Sequence, residues 1–223
     1  MSIGLHVHIA TNPVCLAITS GKDLIFAQTL VADYGFGEQV MSAIQAACSS
    51  AKTTLPQLHY LCSTHGPGGY TTTRMGVTTM KSLAQTLNLP LFSFSTLAAM
   101  VWHFSTTEGV YLAILETRSP TYRVGLFRAQ NGEVSPLSEE VLLDHNSIIR
   151  LLSRFESPLT IIGKITLPNL PVAHRMIAQG VTIEGLTTAG VYYQEHHPDQ
   201  GRYERVVPIY AHPPVIGTKK DGA

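Results

Sequence analysis

Apolar residues in the first half of the chain come first in short runs and then at helical spacing. Residues 5–10, 14–19 and 24–30 are apolar or alternating and predict three strands. Thr11, Asn12 and Pro13 break the first pair, and Ser20, Gly21, Lys22 and Asp23 break the second; both are turn compositions. Val40, Ile44, Ala47 and Cys48 then form one stripe, which predicts a helix over 37–51. A strand over 58–63 leads into Gly66, Pro67, Gly68 and Gly69. A second helix follows over 73–87, stopped by Asn88 and Pro90.

The second half opens the same way. Runs at 110–115, 122–127 and 134–142 predict three strands, with Asn131 and Gly132 as a hairpin turn between the last two. A helix over 146–155 follows, with Asp144 or Asn146 as its cap, and then a strand over 159–162. Three strands, a helix and a strand therefore occur twice, the pattern of a duplicated α/β unit with mixed sheets. The stretch between Ser95 and Gly109 is helical over 97–104 and then loops. It divides a first lobe, 1–105, from a smaller second lobe, 106–188. A helix over 189–196 is expected to fold back onto the first lobe, with 189–223 forming that helix and a tail.

Composition narrows the function. Hydrophobic residues make up 44% of the 223, enough for a large core, whereas charged residues are only 13%, against roughly 25% in an ordinary soluble domain. A chain so poor in charge is expected to bury some surface against another chain. Its 15 basic and 15 acidic residues cancel, which argues against gripping nucleic acid alone. Cys15, Cys48 and Cys62 are widely spaced and suggest neither a disulfide framework nor a zinc site. No run reaches the roughly 18 apolar residues of a membrane span, so a cytoplasmic protein is expected.

The segment from Gly66 through Tyr70, Thr71 and Arg74 to Val77 concentrates the candidate chemistry. Glycines ahead of a helix free the backbone and let amides converge on an anion at the positive helix end. No Gly-Lys-Ser/Thr closes this loop, so it is no Walker motif, and on its residues alone a structural turn competes with an anion site. No nucleophile–base pair stands out. Glu139 and Glu140 are adjacent and read as solvent-facing charges, and His65 reads as closing its strand. His6 and His8 share a strand face, but the expectation is hydrogen-bonded histidines rather than a metal pair. The same holds for His196 and His197 at a helix end.

The stretch from Ser63 to Met100 closely resembles the signature of the TsaB (YeaZ) family, in which GPGSFTGLRIGV leads into a helix and then a Pro-containing segment. Gly66, Pro67, Gly68, Thr71, Arg74, Gly76, Val77, Lys81, Leu83, Pro90, Ser95 and Leu97 match. Gly69, Tyr70 and Thr72 replace the family's Ser, Phe and second Gly. The resemblance extends more weakly over about residues 1–212, including Glu38, Arg118, Pro208, Ile209 and Tyr210. It implies the two-lobed ribonuclease H-like fold of actin, Hsp70 and the sugar kinases. It also implies a non-catalytic scaffold subunit pairing with a catalytic homologue, TsaD, and working with the ATPase TsaE. Their assembly makes threonylcarbamoyladenosine in tRNA, with tRNA met only as part of the complex. No intrinsic cofactor or catalytic residue is implied; ATP or ADP and magnesium would be held mainly by the partners. His8 stands where the family carries an aspartate, which weakens the competing reading of an ATPase or a sugar kinase, and the want of a metal pair or nucleophile in the sequence weakens that of a metallopeptidase-like protein.

The two helices of the first lobe carry few charges, Glu38 on one and Arg74 and Lys81 on the other. Small residues on them allow close approach of a second helix pair. Together with the resemblance, this makes Glu38, Val40, Met41, Ile44, Ala47, Cys48, Gly76, Val77, Met80, Lys81 and Ala84 the expected partner interface. It serves the TsaD homologue, or a homodimer when the chain is alone. On this reading Ile44→Glu or Ala84→Arg would block pairing and leave the fold intact.

Overall fold

The structure, a computed structural model, describes residues 1–31, 36–117, 121–165 and 174–210, with the side chains of 36–38 outside that set. The first lobe runs β1 (Ile3–His8), β2 (Val14–Ser20), β3 (Asp23–Leu30), α1 (Phe36–Ser50), β4 (Tyr60–Thr64), α2 (Tyr70–Leu87), β5 (Leu91–Phe94) and α3 (Thr96–Trp102). The second runs β6 (Gly109–Glu116), β7 (Thr121–Gln130), β8 (Glu133–Pro136), β9 (Val141–Asp144), α4 (His145–Leu152), β10 (Thr160–Ile162) and β11 (Arg175–Ile177), and α5 (Ile183–His196) follows. A short 3₁₀ turn, Tyr203–Arg205, follows and leads into residues 206–210.

Both lobes are built on a mixed sheet. In the first, the order is β3-β2-β1-β4-β5, with β1 antiparallel to β2 and parallel to β4. In the second it is β11-β10-β6-β7-β8, with β9 also on β7. Local chemistry sets the corners. Asn131 and Gly132 both take positive φ, 55° and 77°, as a type I′ hairpin turn requires. Asn88, at φ 51°, ends α2 in the left-handed conformation. Asp144 caps α4 by accepting from the Ser147 amide at 2.7 Å.

Several elements differ from the pattern reading: β11 has no counterpart in it, α5 begins at Ile183 rather than at 189, and the 134–142 run and β5 also depart from it. The strand expected over 134–142 is two strands: Pro136 ends β8, because a proline has no N–H to extend a ladder, and the polar 138–140 loop separates it from β9. The four-residue β5, parallel to β4, is too short to show a period.

Three cores follow from the alternation of side chains. Leu5, Val7, Leu16 and Ile18 pack under Val40, Ile44 and Ala47 of α1 and Val77, Met80 and Ala84 of α2. On the opposite face of that sheet, Cys15, Cys62 and Phe94 share a core with α3, α5 and Tyr111, Ala113 and Phe127 of the second sheet. Leu112, Ile114 and Val124 meet Ile148 and Leu152 of α4 on the far side. The layers thus run α1 and α2, first sheet, α3 and α5, second sheet, α4. The two middle helices cross over: α3 packs on β6, β7 and β8, and α5 packs on the first sheet.

Candidate functional site

The glycine loop joins β4 to α2 and is packed backbone against backbone. Gly66 has φ +99°, and a Cβ there would collide with the carbonyl of Ile209. A Cβ on Gly68 would collide with the backbone of Ala10. The Gly69 amide donates to the Ala10 carbonyl at 2.9 Å, and the Gly66 carbonyl accepts from the Thr96 amide at 2.7 Å. The loop is thus a corner where the β1–β2 turn, α2 and α3 meet. Gly66, Pro67 and Gly68 are buried, while Gly69, Tyr70, Thr71 and Arg74 are exposed.

Residues 206–210 cross this corner. Lys81 Nζ donates to the Val206 carbonyl at 2.9 Å, and the Ile209 amide donates to the His65 carbonyl at 2.7 Å. The Tyr210 ring lies 4.5 Å from that of Tyr70, and the Tyr210 carbonyl accepts from Arg123 Nη2 at 3.1 Å. Because Arg123 belongs to β7, this strap ties the first lobe to the second.

The histidines of β1 are fully buried and neutral. His8 shares hydrogen bonds with Thr64 Oγ1 through Nδ1, at 2.7 Å, and with Thr11 Oγ1 through Nε2, at 2.9 Å. His6 Nε2 meets Thr19 Oγ1 at 3.0 Å and Tyr60 Oη at 3.3 Å, with its ring beneath Gly190 of α5. Burial drives both imidazoles down to about 3. His65, bonded to Ser93 Oγ at 3.0 Å, is pushed down to about 4 for the same reason. The three thiols are buried, and burial holds each above its ordinary range. His196 stacks on Tyr192 with ring centres 4.4 Å apart. Among the described residues, no three His, Cys, Asp or Glu side chains converge as a metal site.

A polar cluster between the lobes has no signature in the pattern. Ser95 caps α3, accepting from the Ala98 amide at 3.1 Å, and its hydroxyl donates to the Glu140 carboxylate. Arg123 Nη1 donates to the Glu140 carbonyl at 3.4 Å. Burial raises the Glu140 carboxyl above its usual range, against the opposing pull of Ser95 and Arg123. Glu140 is therefore half-buried and engaged, not a solvent-facing charge; Glu139 beside it is exposed. Ser95 and Tyr210 could have been found through the family signature. Arg123 and Glu140 are joined only by the fold.

The family model described as TsaD, tRNA N6-adenosine threonylcarbamoyltransferase, matches residues 31–149, just over half of the chain. The tRNA threonylcarbamoyladenosine biosynthesis protein TsaB of Bacillus subtilis is 26% identical over 158 residues, 66% of this chain and 67% of that one. Its counterpart from Buchnera aphidicola is 34% identical over 61 residues, 27% of this chain and 28% of its own. The chain belongs to the TsaB (YeaZ) family. A Pseudomonas aeruginosa protein described as similar to peptidase YeaZ superposes with a TM-score of 0.80 at 18% identity, covering 95% of this chain and all of that one. YeaZ from the same organism gives 0.76 at 17%, covering 94% and 100%. These likenesses establish the two-lobed actin/Hsp70/sugar-kinase type of fold.

For a TsaB-family chain, the fit of a magnesium-bound nucleotide can be tested on the loop itself. His8, in the place of the family aspartate, is neutral and has both ring nitrogens bonded to threonines. The Gly69 amide is spent on Ala10, and Ile209 lies against Gly66. These groups do not fit a hard cation and its phosphates.

The helix residues named from the sequence divide by face. Val40, Ile44, Ala47, Cys48, Gly76, Val77, Met80 and Ala84 are buried on their own sheet, and Met41 and Lys81 are half-buried. The Glu38 side chain and Arg118 lie outside the described residues. The outward face is formed instead by Gln39, Ser42, Gln45, Ala46 and Ser49 of α1 and by Arg74, Thr78, Ser82, Gln85 and Thr86 of α2. Ile44 and Ala84, both 0% exposed, cannot report on pairing, because a charge there would break the core. Among the described residues, no helix is long and apolar enough to cross a membrane.

Proposed function

We propose that this TsaB-family chain is a non-catalytic scaffold in tRNA threonylcarbamoyladenosine biosynthesis, docking a catalytic TsaD homologue on the outer faces of α1 and α2. One observation carries the reading: the backs of these two adjacent helices expose a single charge, Arg74, among the described residues. A surface helix ordinarily presents a charged outer face. Small and uncharged polar residues such as Ser42, Ala46, Thr78 and Ser82 instead let a second helix pair come close, which favours a four-helix contact. The exposed Tyr70, Thr71 and Arg74 extend that face to the glycine loop. The loop then serves as the rigid corner that sets the angle of α2, and its chemistry is structural. Nucleotide and the ATPase TsaE would engage the assembled complex rather than this chain alone.

The test is a threonylcarbamoyl-transfer assay with the same organism's TsaD homologue and its partner set, with and without this chain. The expected result is a stable complex whose activity depends on the chain. Full activity without it, or ATP hydrolysis by the purified chain alone, would overturn the scaffold reading.

A further inference from the structure

The second lobe carries a docking surface of a different kind. A groove of about 590 Å³ runs beside α4 on the outer face of the second sheet. Half-buried Leu126 forms the accessible floor above the buried Leu112 and Val124, with Val141 and Leu143 of β9 on one side and α4 on the other. Val141, at 43%, is the exposed large apolar side chain of this lining. Ser147, Arg150 and Leu151 line the α4 side at helical spacing, joined by Arg154 in the turn after the helix. Arg150 Nη2 donates to Ser147 Oγ at 3.3 Å, and among the described residues neither Arg150 nor Arg154 has a carboxylate within ion-pair distance. Glu139 faces them across the groove.

We propose that this groove receives an amphipathic helix of a partner protein, with apolar residues toward the sheet and acidic residues along the edge that meets Arg150 and Arg154. Three features select that occupant. A groove beside a helix on a sheet face is the place a second covering helix takes in α/β packing. The apolar floor calls for leucine-like side chains at i, i+3, i+4 and i+7. The two exposed arginines, four residues apart, select acids on the matching edge, although Asp144 draws on the charge of Arg150, and Glu139 disfavours acids on the other. The surface is separate from the α1 and α2 faces.

The probe is a fluorescein-labelled peptide of about sixteen residues, long enough for four turns, with that leucine spacing and glutamates flanking it. Fluorescence anisotropy with the full chain is expected to show binding about tenfold tighter than for the same peptide with lysines, as two weak charge contacts imply. The Arg150→Glu, Arg154→Glu double variant should reverse that preference, and Val141→Asp should abolish binding with the melting temperature unchanged. Absence of binding, or equal binding of both peptides, would overturn the proposal. So would a concentration-dependent dimer lost in Val141→Asp, which would make a second copy the occupant. Sedimentation with phosphatidylglycerol vesicles that depends on the same arginines would assign the face to a membrane and overturn it equally.

Discussion

The outer face of the first sheet, five strands wide, lies under two helices of 15 and 18 residues; the corresponding face of the second, six strands wide, carries α4, of 8 residues. Both lobes use the same β-meander and the same alternation to build their cores. They differ in how much of the sheet the chain covers with its own helices. In the first lobe α1 and α2 bury the sheet's centre and leave the edge strand β3 largely exposed, with Leu24 at 50% and Ile25 at 42%; above the buried strands a partner meets the nearly uncharged back of α1 and α2. In the second, Leu112 and Val124 are buried under α4, and the half-buried Leu126 and Leu143 and the exposed Val141 stay open beside it. A helix-backed surface offers shape and small residues, whereas an open sheet face offers apolar depth. The two lobes therefore suit different partners, and variants on each should separate cleanly.

The largest effect is expected in the sealed core. Ile44→Glu places a carboxylate at a position with 0% exposure among Leu5, Leu16 and Met80. It should cost about 3–5 kcal/mol or leave the chain unfolded. Val141→Asp, on the open face, should shift stability by less than about 0.5 kcal/mol. Urea titrations of both variants check the contrast, and equal losses would erase the distinction between the lobes.

Acid should come next. His6 and His8 are held near 3 in the folded chain, against about 6.5 when unfolded. The unfolded chain thus binds more protons below that value, and stability present above about 6.5 is lost as pH falls toward 3. At pH 5 each histidine should remove about 2 kcal/mol. Unfolding free energies at pH 7 and pH 5 test this, and a flat profile would mean that the β1 histidines are not buried neutral.

A smaller loss is expected at the glycine corner. Gly66→Ala meets both φ +99° and the Ile209 carbonyl, so it should cost about 1–3 kcal/mol and lift the 206–210 strap. Faster proteolysis after residue 200 would register the lifting. Unchanged stability would show that the strap contributes nothing to holding the corner.

Much of the fold was legible along the chain because its signals are local. Asn131 with Gly132, Asn88, Asp144 and the α1 stripe each act within a few residues, and each appears where the pattern puts it. Most of the helix residues expected at the interface are buried, for a physical reason. Periodicity in Val40, Ile44, Ala47 and Cys48 records what the helix buries on its own sheet, so it points inward. The outward residues, Ser42, Ala46 and Thr78, have no period to betray them. Glu140 reads as a surface charge in the sequence because its partners, Ser95 and Arg123, sit on other elements. The bond from Ser95 spans 45 positions of sequence. The 134–142 run reads as one strand because apolar residues flank Pro136 on both sides, and the proline's missing donor matters only once β7 is beside it.

The smallest expected effect on stability belongs to the most informative variant. Ala46→Arg lies on the exposed back of α1 and should leave the unfolding free energy within about 0.5 kcal/mol. Size-exclusion chromatography of the wild-type chain, Ala46→Arg and Val141→Asp, each mixed with the TsaD homologue, then tests the central claim most directly. The account predicts that wild type and Val141→Asp co-elute with the homologue and that Ala46→Arg elutes alone. Co-elution of Ala46→Arg with loss of the Val141→Asp complex would contradict it and move the docking site to the second lobe.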